Sequence, residues 1–313
     1  MNNTKTTHTR KTIFLNIIAF ITVSIWATTF ISSKILLKSL SPFESMFYRF
    51  LIAYFSLIII HPKFHKIHSI KEELLFLVCG ITGGSLYFLG ENTAVKISLA
   101  SNVSLILATA PVLTAILAHF FTKGEKLNKN LIIGFFIAIT GVFLVIFNGN
   151  FVLKVNPLGD ILALGSALCW AVYSICIKKF GDRYNALYLT RKIFFYALIT
   201  MIPLLFTSLF NFNPSVLIQS DVIINLIFLG IIASSVCYVV WNYAVDKLGV
   251  VKTNNYLYFL PILTLILSYF VLDEKLTAYS LGGALLIITG VYISEQGFSL
   301  KFLSKYKKDK IAA

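Results

Sequence analysis

Long apolar runs separated by short polar breaks dominate the chain. One runs from Thr12 to about Leu37 and another from Leu131 to Phe147, and neither alternates between apolar and polar positions. A half-buried strand alternates with period two, and transmembrane barrel strands show the same alternation over about ten residues. Unbroken runs of about 20 residues match instead the length a helix needs to cross a hydrocarbon core. The pattern predicts ten spans near 12–34, 43–61, 73–93, 99–121, 128–148, 158–178, 185–209, 220–244, 250–272 and 277–297. The sharpest breaks are His61-Pro62-Lys63, Thr122-Lys123-Gly124-Glu125, Asn148-Gly149-Asn150 through Asn156-Pro157, and Asn211-Phe212-Asn213-Pro214. The first run outlasts the apolar core of about 7–15 residues in a cleavable signal, and it has an interior counterpart at 158–178, so a retained helix is expected.

That counterpart belongs to a larger duplication. Ile17-Ile18-Ala19 through Trp26-Ala27 to Ile31 and Lys34 lines up with Ile161-Leu162-Ala163 through Trp170-Ala171 to Ile175 and Lys178, at an offset of 144. Asn92-Thr93-Ala94-Val95 through Pro111 to Phe120 answers Asn242-Tyr243-Ala244-Val245 through Pro261 to Phe270, at an offset of 150. Glu125-Lys126-Leu127 and Thr140-Gly141-Val142 recur as Glu274-Lys275-Leu276 and Thr289-Gly290-Val291. The units are 12–148 and 158–297, flanked by basic tails at 1–11 and 298–313. Five spans per unit is an odd number, so the copies should sit upside down relative to each other. Inverted repeats are the sequence trace of an alternating-access carrier.

Composition agrees with an all-α membrane protein. Of 313 residues 58% are hydrophobic and 13% charged, where a soluble domain carries about 25% charge. The net charge of +14 would suit nucleic acid, but the Lys and Arg residues lie in short loops and tails beside a bilayer. Counted on alternate sides, nineteen fall with the two termini and only five opposite, at Lys34, Lys38, Lys96, Lys154 and Lys275. The excess places both termini in the cytoplasm. The tail Lys305-Tyr306-Lys307-Lys308 is then suited to hold anionic lipid. Cys79, Cys169, Cys176 and Cys237 lie in apolar segments without CxxC spacing and read as small buried hydrophobes; no disulfide, metal or cofactor is expected.

Polar groups inside a membrane are costly, which makes each a candidate for function. Pro111 and Pro261, at equivalent repeat positions, should kink their spans and free the carbonyls of Leu107 and Leu257. Trp26 and Trp170 sit well inside the first span of each unit, where packing and substrate stacking are equally open readings. Tyr87, Tyr173, Tyr238 and Trp241 add aromatic surface with hydrogen-bonding tips. Asn92 and Asn242 are a further pair, but their neighbours differ: Glu91 corresponds to Trp241. Glu91 could pair with Arg49 or Lys34, hold a substrate ammonium, carry a coupled proton, or simply face solvent at a helix end. Lys34 and Lys178, and Arg49 and Arg191, are repeat-related cations that either snorkel to an interface or guard the mouths. The one His inside a span, His119, and the lack of a second acid beside Glu91 argue against a membrane-embedded enzyme.

With these residues in view, the chain resembles the drug/metabolite transporter superfamily. Trp-Ala at 26–27 and 170–171, the prolines at 111 and 261, and the Gly-Glu-Lys-Leu and Asp-Glu-Lys-Leu loops point to its EamA-type permeases. The resemblance implies a bacterial cytoplasmic membrane and a central cavity to which Trp26, Glu91, Asn92, Asn102, Trp170, Tyr238, Trp241 and Asn242 contribute. It implies export of amino acids or related metabolites; uptake by an intracellular organism is the alternative.

Overall fold

The computed structural model describes residues 2–63, 68–98, 100–147, 156–272 and 277–296. All regular structure among them is helical. In chain order the helices are α1 (Asn2–Leu36), α2 (Pro42–Ile60), α3 (Ile70–Ile97), α4 (Ala100–Leu107), α5 (Ala110–Phe121) and α6 (Lys129–Phe147). They continue as α7 (Pro157–Phe180), α8 (Ala186–Met201), α9 (Ser220–Leu248), α10 (Val250–Asn254), α11 (Leu260–Leu272) and α12 (Ala278–Gln296). Starts are set by short polar residues, which satisfy backbone N–H groups that lack a helical partner. At α2, Ser41 Oγ accepts from Glu44 N while the Glu44 carboxylate accepts from Ser41 N, with Pro42 in the first turn. At α7 the Asn156 side chain accepts from Gly159 N, ahead of Pro157.

Among the described residues six helical segments are long and apolar enough to cross a membrane: 10–36, 42–60, 70–97, 157–183, 186–206 and 220–248. Large apolar side chains such as Phe55, Ile59, Phe136, Ile161 and Leu285 point outward. Soluble monomers do not expose an apolar surface on this scale, whereas lipid requires one. The chain is a multi-pass membrane protein.

Two of the ten expected spans are interrupted among the described residues. The expected fourth span, 99–121, is broken between Leu107 and Ala110, and Pro111 stands in the first turn of α5. The expected ninth runs as α10, then a 3-10 turn over Asn255–Phe259, then α11, with Pro261 in its first turn. Proline needs no N–H partner at a helix start, and at both places the helix is interrupted just before it and restarts with it in the first turn. Leu257 O is not freed either, since Leu260 N donates to it. At the amino end the expected tail 1–11 is helical from Asn2. The carboxy-terminal tail, the loop Asp273-Glu274-Lys275-Leu276 and residues 148–155 lie outside the described residues.

Helices of one repeat pack mainly on those of the other. α1 lies against α9 and α11, and its counterpart α7 against α3, α4 and α5; α2 meets α9 while α3 meets α8; α6 lies along α12. Glycines set this last contact. A Cβ at Gly141 would fall 2.5 Å from the Gly283 carbonyl oxygen, and one at Gly290 2.5 Å from that of Gly134. Small residues are what let helix backbones approach so closely in lipid. The order of contacts makes α6 and α12 antiparallel.

Among the described residues two stretches are π-helical, Ile81–Ser85 in α3 and Phe228–Val236 in α9. They occupy equivalent repeat positions. Such bulges shift backbone carbonyls away from their usual helical donors and recur at functional sites.

Candidate functional site: an aromatic cavity between the repeats

The two π-helical stretches hold the centre of the molecule together. Trp26 Nε1 on α1 donates to Ala233 O at 2.9 Å, and the Tyr238 hydroxyl on α9 donates to Gly83 O at 2.9 Å. Gly83 and Ala233 are repeat equivalents, so each bulge offers the same carbonyl to an aromatic residue of the opposite repeat. Trp170 Nε1 on α7 donates to Asn254 Oδ1 at 3.0 Å. These bonds fix the rings edge to face: Trp26 and Trp170 meet at 5.3 Å and 88°, and Trp170 and Tyr238 at 5.9 Å and 83°. Aromatic quadrupoles favour that geometry over a flat stack.

Beside these rings lies a cavity of about 60 Å³. Its wall is built largely from repeat pairs: Trp26 with Trp170, Phe88 with Tyr238, Leu107 with Leu257, and Ala110 with Leu260. Thr29, Phe30 and Tyr87 also line it, and Arg49 and Glu91 complete it. Arg49 is buried in the wall rather than extended to an interface. Its Nε donates to Ser234 Oγ at 2.6 Å, and its guanidinium carbon sits 4.2 Å from the centre of the Phe88 ring. Tyr87, one turn before Glu91 on α3, lines the same cavity. A larger crevice of about 250 Å³ opens among α5, α6, α12 and the 3-10 turn. Its lining is almost wholly apolar, from Pro111 and Val112 to Phe135, so it offers little to orient a polar ligand.

The profile of the EamA-like transporter family matches residues 13–147 and, a second time, residues 157–295. The chain belongs to this family. An uncharacterized transporter of Archaeoglobus fulgidus is 31% identical over 280 residues, covering 88% of this chain and 94% of that protein. A protein of Escherichia coli named a probable amino-acid metabolite efflux pump is 27% identical over 291 residues, covering 90% and 94%. A probable terminal-alkyne amino-acid exporter of Streptantibioticus cattleyicolor is 27% identical over 223 residues, covering 71% and 73%. One solved structure, titled a crystal structure of protein, superposes with a TM-score of 0.70 at 18% identity, covering 90% of this chain and 98% of that one. That likeness speaks to the fold.

In this EamA-like transporter the residues singled out by sequence divide into two sets. Trp26, Tyr87, Glu91, Trp170, Tyr238 and Arg49 converge on the cavity. Others are engaged in the surrounding packing. Asn242 Oδ1 accepts from the Tyr173 hydroxyl at 2.9 Å, and its Nδ2 donates to Thr190 Oγ1 at 3.0 Å. Asn92 Nδ2 donates to Pro42 O at 3.3 Å, joining α3 to the start of α2. Trp241 is fully buried against Trp26, ring to ring at 4.9 Å. Lys178 Nζ donates to Asp246 O, Arg191 reaches the carbonyls of His61 and Lys63, and Lys34 is exposed at the end of α1. Asn102 lies on α4, and its side chain is outside the described residues. All four cysteines are free thiols, with Cys79, Cys176 and Cys237 buried. Among the described residues no three His, Cys, Asp or Glu side chains gather as a metal site.

Sequence reasoning missed Thr29, Phe30, Phe88 and Leu260. A signal existed: Thr29 and Phe30 follow Trp26 at helical spacing, and Phe88 is the repeat equivalent of Tyr238.

Proposed function

We propose that this EamA-like transporter is a secondary carrier for small amino-acid-like metabolites, working outward by alternating access at a bacterial cytoplasmic membrane, with both termini in the cytoplasm. Two inverted five-helix repeats, together crossing the membrane ten times, would rock about the line where they meet. One observation carries this reading above the others. The repeats interlock reciprocally, Gly134 with Gly290 and Gly141 with Gly283, and Trp26 with its own equivalent Trp170. Reciprocal contacts between equivalent positions are the mark of two-fold symmetry. Antiparallel α6 and α12 put that axis in the membrane plane, which favours inverted over parallel repeats. A cavity walled by both repeats can then open to either side as the units tilt.

The substrate class is supported by the names of two relatives, an amino-acid metabolite efflux pump and an amino-acid exporter. A small aromatic cavity with one cation and one carboxylate suits such a molecule. The test is flux in proteoliposomes preloaded with radiolabelled L-leucine. Loss of label faster than from empty-lipid controls supports the reading. No protein-dependent flux of leucine or any other amino acid, in either direction, removes it. Accumulation from outside without efflux from cells would replace export by uptake.

A further inference from the structure

Two opposite charges face one cavity without meeting. Arg49 is 4% exposed, its Nε is engaged by Ser234, and no described carboxylate lies within 4.0 Å of its nitrogens. No described cation lies within that distance of Glu91 either, and Tyr87 precedes it by one turn on α3. A buried charge left without a counter-charge is expensive, and a direct Arg49–Glu91 bridge would be the simplest remedy. The fold holds them on separate helices, α2 and α3, and both line the cavity.

The geometry points to a clamp for a zwitterion: Arg49 binds the carboxylate of an α-amino acid and Glu91 its ammonium, while the apolar side chain lies against Trp170, Tyr238, Leu257 and Leu260. The clamp deepens the function proposed above and rests on it. An anion alone would meet repulsion from Glu91, and a cation alone would meet it from Arg49. A neutral solute would leave both charges desolvated and uncompensated. A guanidinium presents a planar fork that matches a carboxylate with two parallel hydrogen bonds. Polarity also fixes orientation. Both charges come from the first repeat, because their equivalents Arg191 and Trp241 are engaged elsewhere. The polar end of the ligand therefore faces α2 and α3, and its side chain faces the second repeat.

The experiment measures binding of L-leucine, leucinamide and 4-methylpentanoate to the detergent-purified full chain by isothermal titration. Leucinamide lacks the carboxylate and 4-methylpentanoate lacks the ammonium. The wild-type chain should bind leucine at least about tenfold more tightly than either analogue, the discrimination expected of a charge-assisted hydrogen bond. Arg49→Met should erase the preference for leucine over leucinamide while keeping that over 4-methylpentanoate, and Glu91→Gln should do the reverse. Arg49→Lys, which keeps the cation, should retain part of the first preference and serves as the control for folding. Wild-type binding of leucine with both preferences unchanged in the variants overturns the clamp and leaves the proposed function standing. Failure of the wild-type chain to bind leucine or any other amino acid overturns both.

Discussion

Arg49 and Arg191 stand at equivalent positions of the two repeats, and their side chains do different things. Arg191 extends to the carbonyls of His61 and Lys63 and fastens a loop between α2 and α3. Arg49 turns inward to Ser234 and the cavity. The difference follows from a single partner. Ser234 corresponds to Gly84 in the first repeat, so Arg191 finds no hydroxyl at the matching place. Glu91 and Trp241 diverge in the same sense: one lines the cavity, the other fills space against Trp26. Duplication supplied a common frame of π-bulges, glycine contacts and paired rings. Later divergence put the cavity's charge on one side only.

The comparison breaks most severely where the repeats still match. Gly141→Leu should force α6 from α12 and destabilise the protein by about 1–3 kcal/mol or more, the usual effect of overpacking. Gly165 and Gly282 have open space around their Cα atoms, so Leu at either position should leave the melting temperature in detergent nearly unchanged. Equal melting of Gly141→Leu and Gly165→Leu would mean the close approach of α6 and α12 does not hold the repeats together.

A second prediction separates the two arginines. Arg49→Met should raise the half-saturation concentration for leucine transport at least about tenfold. Arg191→Met should leave it within about twofold and lower stability by about 1–3 kcal/mol, because two backbone carbonyls lose a charged donor. Transport kinetics and thermal melts on the same preparations check both halves.

Glu91 gives a third, milder test. Protonating its carboxylate removes the negative charge that faces Arg49, Tyr87 and Tyr238, so substrate affinity should fall as the medium becomes more acid. In Glu91→Gln that dependence should flatten. An unchanged pH profile would remove Glu91 from any proton-linked role.

The smallest effect is expected at Glu125. Its two carboxylate oxygens accept from Val250 N and Val251 N at 2.7 Å each, tying the loop after α5 to the start of α10. Glu125→Gln keeps one acceptor and should cost about 1 kcal/mol. If this tie closes one mouth, a cysteine introduced at Leu257 should react faster with a membrane-permeant thiol reagent in the variant.

Much of the fold was legible because a duplicated chain states its own geometry. The offset of 144 pairs Trp26 with Trp170, and the structure puts those two rings in contact. What failed to show was backbone behaviour. Nothing in Ile81-Thr82-Gly83-Gly84-Ser85 announces a π-helical turn, since the apolar period of α3 simply continues through it. Pro111 and Pro261 signalled a disturbance but not its kind, because a proline inside a span and one that restarts a helix look alike in sequence. The site was legible in part. Polar residues within spans stood out by cost alone, yet cost does not say whether a neighbour or a ligand meets it. Asn242 is satisfied by Tyr173 and Thr190, whereas Arg49, which the sequence left open as a snorkelling cation, a charge at a mouth or a partner of Glu91, lines the cavity.

The most direct measurement is of sidedness. Reporters of membrane face, one inserted after residue 152 between the repeats and one at the carboxy terminus, should read from opposite sides of the bilayer. Both reading from the same side would mean that the repeats are not inverted, and the rocking carrier built on them would fall.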